Sequence, residues 1–210
     1  MTALSVFYEK QAETLLKALH KRGMEGFYCA DSKSAVEKAL SLIPEGATVT
    51  WGGSESIKES GLLDALKTAP VTLWDRSTVK PEDLKAFYRK AFCADYFLMS
   101  ANAITLDGQL VNIDGTGNRV AALSYGPDHV IMLIGMNKVA PDLESAIARA
   151  HNTAAPPNAI RLNLNTPCAK DGVCHNCLSP QKICNMLHVQ HYSRFPGRIQ
   201  VILVGESLGF

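Results

Sequence analysis

Ser100–Ala122 reads SANAITLDGQLVNIDGTGNRVAA. Two short β segments, Ala103–Leu106 and Gln109–Ile113, flank Asp107-Gly108, a dipeptide that favours a type I′ hairpin turn because both central residues accept positive φ. The next six residues are unlike a hairpin. Asp114-Gly115-Thr116-Gly117-Asn118-Arg119 sets two glycines, two Asx residues and a guanidinium just ahead of a helix read over Asn118–Ala122. Glycines let backbone N–H groups approach a ligand closely, a helix N-terminus favours negative charge, and Arg119 can take a carboxylate or phosphate bidentately. The stretch therefore predicts an anion site. The plain alternative is a polar loop closing a hairpin, with Asn118 as its N-cap.

On both sides of this stretch the chain alternates strands and helices. Upstream, residues 5–22 read as a helix stopped at Gly23, with apolar residues at Val6, Phe7, Leu15, Leu16 and Leu19. Strands come next at 27–30, 47–51, 71–74 and 96–99, separated by helices over 32–42, from Ser54, over 62–69, and from Pro81 to about Phe92. Such alternation predicts an α/β fold, a parallel sheet with helices covering it. Val130–Ile134 and Ile199–Val204 are nearly continuous apolar runs, as expected of strands buried on both faces. Asp142–Ala150 reads as a helix between them. Thr153–Asn158, with its Pro156-Pro157, reads as a joint. The whole chain, 1–210, is expected to form one domain, with 153–195 a cysteine-containing excursion before the last strand.

Ligand sites in open α/β sheets lie beyond the carboxyl ends of the strands. The turn after strand 47–51, Gly52-Gly53-Ser54-Glu55, joins the 114–119 stretch as a second candidate. Its backbone N–H groups and the Ser54 hydroxyl could cradle a phosphate or carboxylate, although tight strand-to-helix turns use the same residues. The pattern departs from Gly-x-Gly-x-x-Gly and argues against an ordinary dinucleotide site.

Composition narrows the partners. The chain has 210 residues, 47% hydrophobic and 20% charged, enough for one sizeable core, and its formal net charge is +1. That balance argues against nucleic acid or an anionic membrane and favours a small molecule or a protein partner. Neither a signal-like N-terminus nor a membrane-spanning apolar run is evident, so a cytoplasmic protein is expected.

Four of the six cysteines, Cys168, Cys174, Cys177 and Cys184, fall in TPCAKDGVCHNCLSPQKIC as C-x5-C-x2-C-x6-C. Four thiolates in so short a loop suit zinc or an iron–sulfur cluster such as 4Fe-4S, and the spacing leaves both open, with a redox dithiol as the remaining reading. His175 inside the C-x2-C turn could tune or replace a ligand. His188 and His191 read as i and i+3 on a helix, more a polar face than a ligand pair.

The phrases TWGGSES, ANAITLDGQLVNIDGTGNRVAALSYGPDHVIMLIG, PCAKDGVCHNCLSPQKIC and RIQVILVGESLGF resemble the lactate-utilisation (LUD) domain family in its short stand-alone form. The resemblance implies the fold shared by ribose-phosphate isomerase, glucosamine-phosphate deaminase and CoA transferases (NagB/RpiA/CoA-transferase-like): a Rossmann-like, mostly parallel α/β sheet flanked by helices, with an antiparallel hairpin insertion that agrees with the hairpin read at 104–113. It also implies a place in a system oxidising L-lactate to pyruvate with iron–sulfur or oxidoreductase partner subunits. Gly52, Gly53, Ser54, Asp107, Asn112, Gly115, Gly117, Asn118 and Arg119 would line the pocket by that resemblance. Many family members lack the four-cysteine segment, so its cofactor is a separate expectation.

The leading reading is thus a redox-system component, a homo-oligomer or a subunit of a larger assembly, that binds a small hydroxy- or keto-acid through Arg119. Asp107, Asp114 and Glu55 are the candidate bases. Each has a structural reading too: Asp107 as a turn former, Asp114 as an Asx-turn residue, Glu55 as a first-turn acid favouring the helix dipole. A phosphosugar or acyl-CoA enzyme with structural zinc, and a non-catalytic assembly subunit, are the alternatives.

Overall fold

The computed structural model describes residues 2–210. Its main sheet has six parallel strands: β1 Glu25–Cys29, β2 Thr48–Trp51, β3 Thr72–Trp74, β4 Tyr96–Met99, β7 His129–Gly135 and β10 Ile199–Val204, in the order β1-β10-β7-β4-β2-β3. The closing strand does not sit at an edge. It lies between β1 and β7, which is why Ile199–Val204 is buried throughout.

Alternate side chains of these strands supply two cores. Val130, Met132 and Ile134 meet Leu15 and Leu19 of helix α1 (Ala3–Lys21), and Leu123 of α6 (Asn118–Ser124), on one face. Ile131, Leu133 and Ile202 meet α2 (Ser32–Ser41), α3 (Glu55–Glu59) and α4 (Leu62–Leu66) on the other. This is the parallel sheet covered on both faces that the strand–helix alternation predicts. No helix of the described residues is long and apolar enough to cross a membrane.

The hairpin belongs to a second, four-stranded sheet. Its strands are β5 Ala103–Thr105, β6 Leu110–Asp114, β8 Val139–Ala140 and β9 Met186–Gln190, in the order β8-β5-β6-β9. Four local expectations are corrected. The hairpin turn is a three-residue loop closed by Thr105 N–H donating to the Gln109 carbonyl, and only Gly108 (φ 86°) is left-handed, because Asp107 keeps a negative φ. A three-residue loop needs one left-handed residue where type I′ needs two. His188 and His191 are not on a helix: His188 lies in β9, opposite Asn112.

Thr153–Asn158 is no joint. Helix α7 (Leu143–Arg149) runs through a π turn, Ala150–Ala154, into α8 (Ala155–Arg161), with the prolines in the first turn of α8. The wide turn tolerates residues that cannot donate, and first-turn prolines cost a helix no bond it would otherwise make. Lastly, the helix expected from Pro81 splits into a 3₁₀ turn, Pro81–Asp83, and α5 (Leu84–Ala91).

Candidate functional site at the carboxyl ends of the sheet

Four neighbouring strands end around one cavity of about 280 Å³. Its walls take Gly53–Ser56 after β2, Arg76 after β3, Ser100–Asn102 after β4 and Lys138 beyond β7, closed by the 113–119 stretch and by Asn158 and Arg161 of α8. The two glycine-containing turns therefore do converge. Gly53, Ser54, Gly115, Asn118 and Arg119 border the space, whereas Gly52, Asn112 and Gly117 stand behind its wall.

The glycines act by letting other groups come close. A Cβ on Gly52 would meet the Arg119 Cδ at 3.3 Å, and one on Gly53 would sit 2.9 Å from the Arg76 Nη2. Gly115 passes the backbone of Ile183 from the cysteine segment. Gly117, at φ 85°, is the N-cap of α6, so Asn118 is the first helical residue and not the cap. Ser54 caps α3 by accepting from the Ile57 N–H.

Arg119 borders the cavity, but its guanidinium is already bonded within the protein. Nη1 donates to the Ser100 carbonyl and the Asn112 Oδ1, and Nη2 to the Asn102 Oδ1 and the Ile113 carbonyl, at 2.7–3.0 Å. The remaining Nε faces the Asp114 Oδ2 at 3.6 Å. Four of the five donors of the fork are thus hydrogen-bonded within the protein, and the fifth faces a carboxylate. Burial pushes the Arg119 pKa down and Asp114 opposes that, but a guanidinium remains charged. It braces the two sheets against each other.

Each candidate carboxylate has a different fate. Asp114 is a cap: its Oδ1 accepts from the Gly117 N–H and its Oδ2 from the Val120 N–H. Asp107 lies outside the cavity, holding the hairpin loop through Thr105, Gln109 and Arg22. Burial acts to raise its pKa, but those hydrogen bonds and the Arg22 charge outweigh it and hold the carboxylate below its ordinary range. Asp107→Ala should therefore lower stability by about 1–2 kcal/mol in urea unfolding while leaving affinity for any cavity ligand unchanged. Glu55 alone borders the cavity without capping a helix through its carboxylate, and it pairs with Arg161 at 3.2 Å.

Besides Arg161, two cations of the cavity wall escaped the sequence reading. The Arg76 guanidinium lies over Gly53 without a hydrogen-bonded or ionic partner among the described residues. Lys138 is 3% exposed; its Nζ donates to the Ser56 Oγ (2.7 Å) and the Ser100 Oγ (3.3 Å), with no carboxylate in contact. Burial, then Arg149 and Arg119, push its pKa down to about 7 against the weaker pull of Glu59. Neither residue sits in a motif; the one usable signal was position, a few residues beyond a strand end.

The cysteine segment borders this site through Ile183. Cys168 lies in α9 (Pro167–Asp171), and all four cysteines are half-buried free thiols. Burial raises the Cys184 thiol pKa; the Lys182 charge opposes that, and Cys174, Cys177 and Cys168 add to it. Thiols suit a soft metal. Yet no three His, Cys, Asp or Glu side chains among the described residues are gathered around one point, so the segment as folded does not fit a metal or cluster without closing further. His175 is held by Asp171, at 2.6 Å.

Fold and cleft together define an open α/β protein with a cationic cavity at the carboxyl ends of a parallel sheet. The family model of the LUD domain matches residues 12–204, and the chain belongs to the LUD domain family. A DUF162 family protein from Deinococcus radiodurans, solved at 1.70 Å, is similar in structure with a TM-score of 0.53 and 13% identity, over 94% of this chain and 98% of that one. The eIF2B beta of Chaetomium thermophilum is a weaker likeness, with a TM-score of 0.38 and 19% identity over 54% of this chain and 44% of that one. Among curated proteins none matches the sequence.

Proposed function

We propose that the cavity binds a small hydroxy- or keto-acid as part of a lactate-utilisation redox system working with iron–sulfur or oxidoreductase partner subunits. The observation that carries this reading is a charge imbalance. Arg76, Arg119, Lys138 and Arg161 line the space against Glu55 and Asp114, and both acids are already paired, with Arg161 and Arg119. Arg76 and Lys138 are left for a ligand's negative charge. At about 280 Å³, the space lies just below the usual ~300–1,000 Å³ of drug-sized pockets, which suits a three-carbon acid better than an acyl-CoA. Glu55 is the carboxylate placed to hold a proton from the ligand.

Calorimetric titration with L-lactate, pyruvate and ribose 5-phosphate tests the reading. Binding of the two acids, with the sugar phosphate weaker, is expected; preference for the phosphate would replace it with phosphosugar chemistry. Arg76→Ala should weaken acid binding by about 1.5–3 kcal/mol, the worth of a charge-assisted hydrogen bond, with the unfolding midpoint unmoved.

The four-cysteine segment is proposed as a metal-binding loop that must close to gather Cys168, Cys174, Cys177 and Cys184. Anaerobic purification with iron and zinc analysis separates the cases. Iron with broad visible absorption bleached by reductant means a 4Fe-4S-type cluster, one zinc per chain means a structural ion, and neither metal at stoichiometry rejects the assignment.

A further inference from the structure

The proposed function uses Lys138 only as a charge, yet its surroundings are unusual for one. A buried ammonium is ordinarily paired with a carboxylate. Here the neighbours in hydrogen-bond reach are two hydroxyls, and these already donate elsewhere, Ser56 to the Leu208 carbonyl and Ser100 to the Ala101 carbonyl. One side of the amine is packed closely, since a Cβ on Gly209, itself at φ 58°, would stand 3.4 Å from the Lys138 Nζ and 2.7 Å from the Ser56 Oγ, and the open side is the cavity that Lys138 borders. The other charges around it are Arg149 and Arg119, which repel a proton, and Glu59, which attracts one from beyond contact distance. With a pKa near 7, a large share of the amine is neutral and nucleophilic at neutral pH.

We propose that Lys138 is a nucleophilic amine that captures the carbonyl carbon of a 2-keto acid in the cavity as an imine. The proposal rests on the acid-binding reading above. The Nζ lone pair attacks the carbonyl carbon, a C–N bond forms, and the carbonyl π electrons move to oxygen. That oxygen takes up the proton released by nitrogen, for which the Ser56 and Ser100 hydroxyls are the adjacent relays. The proton that the ammonium gave up to solvent before the attack returns to this hydroxyl, the C–O bond breaks as water leaves, and the nitrogen lone pair closes a protonated C=N bond, so ammonium plus ketone gives iminium plus water with no oxidant or reductant. The imine would mark the keto acid off from the hydroxy acid, which has no carbonyl to trap.

The test is incubation of the intact protein with pyruvate followed by borohydride, read by intact mass and peptide mapping, with L-lactate as the control. The expected result is one reduced adduct per chain at Lys138, formed with pyruvate and not with lactate, and lost in Lys138→Arg. Mapping on the unsubstituted chain keeps the result independent of whether that variant folds. Calorimetric binding of pyruvate without an adduct at Lys138 overturns the imine and leaves the pocket standing. Adducts spread over exposed lysines also overturn it. Failure of pyruvate and lactate both to bind removes the acid-binding reading along with the imine.

Discussion

Arg119→Met should cost about 3–5 kcal/mol of stability, the range for removing one partner from a buried charged network. The guanidinium satisfies two side-chain amide oxygens, on Asn102 and Asn112, and two carbonyls, of Ser100 and Ile113, and it faces Asp114. Methionine fills the volume and satisfies none of them. Arg119→Lys should rescue little, because a point charge cannot reach four acceptors spread over a planar fork. Urea unfolding with both variants is the measurement. A loss below about 1 kcal/mol, the net worth of one ordinary hydrogen bond, would show that the site does not depend on this brace and would return Arg119 to the role of ligand-binding residue.

Lys138→Met should act in the opposite direction, and only over part of the pH range. The folded chain holds this amine at a pKa of about 7 against an ordinary 10.5, so between those values the unfolded chain binds a proton that the folded chain does not. Stability therefore rises with pH across that window, and below about pH 7 the full cost of the buried ammonium is present. At ~1.4 kcal/mol per pKa unit, the ceiling of that cost is about 5 kcal/mol. Methionine removes it, and Ser56 and Ser100 retain their carbonyl acceptors. The variant should be more stable than the parent by a few kcal/mol at pH 6, with the gap closing toward pH 10.5. A constant difference across the range would mean that the lysine is not the group titrating. A residue kept at such a cost in stability is the kind retained for its chemistry.

How much of the site was legible varied with the range of the interaction. Gly53, Ser54 and Glu55 were readable because strand, glycine turn, capping serine and first-turn acid are successive residues. Asn118 and Arg119 were readable as neighbours of that turn only through the rule that strand ends converge. The function of Arg119 was not, because its four acceptors belong to Ser100, Asn102, Asn112 and Ile113, whose side chains and carbonyls face it only after β6 folds back on β5. Asp107 looked the same as a catalytic acid until Arg22, 85 residues away, closed on it. Pro156-Pro157 misled for a related reason: prolines break a helix on local rules, and a π turn packed by Ala150 against the second sheet suspends them.

The order of residues alone determines the alternation of strands and helices, the apolar runs of β7 and β10, the glycine turns and the grouping of four cysteines, because each depends on near neighbours and on periods of two or 3.6 residues. Tertiary structure settled which charges are spent and which are free. It paired Arg119 with Asp114 and Glu55 with Arg161, left Arg76 open over Gly53, and buried Lys138 between two hydroxyls. Charge pairing and desolvation are set by distance in space, and strand order β1-β10-β7-β4-β2-β3 brings together residues that lie far apart along the chain.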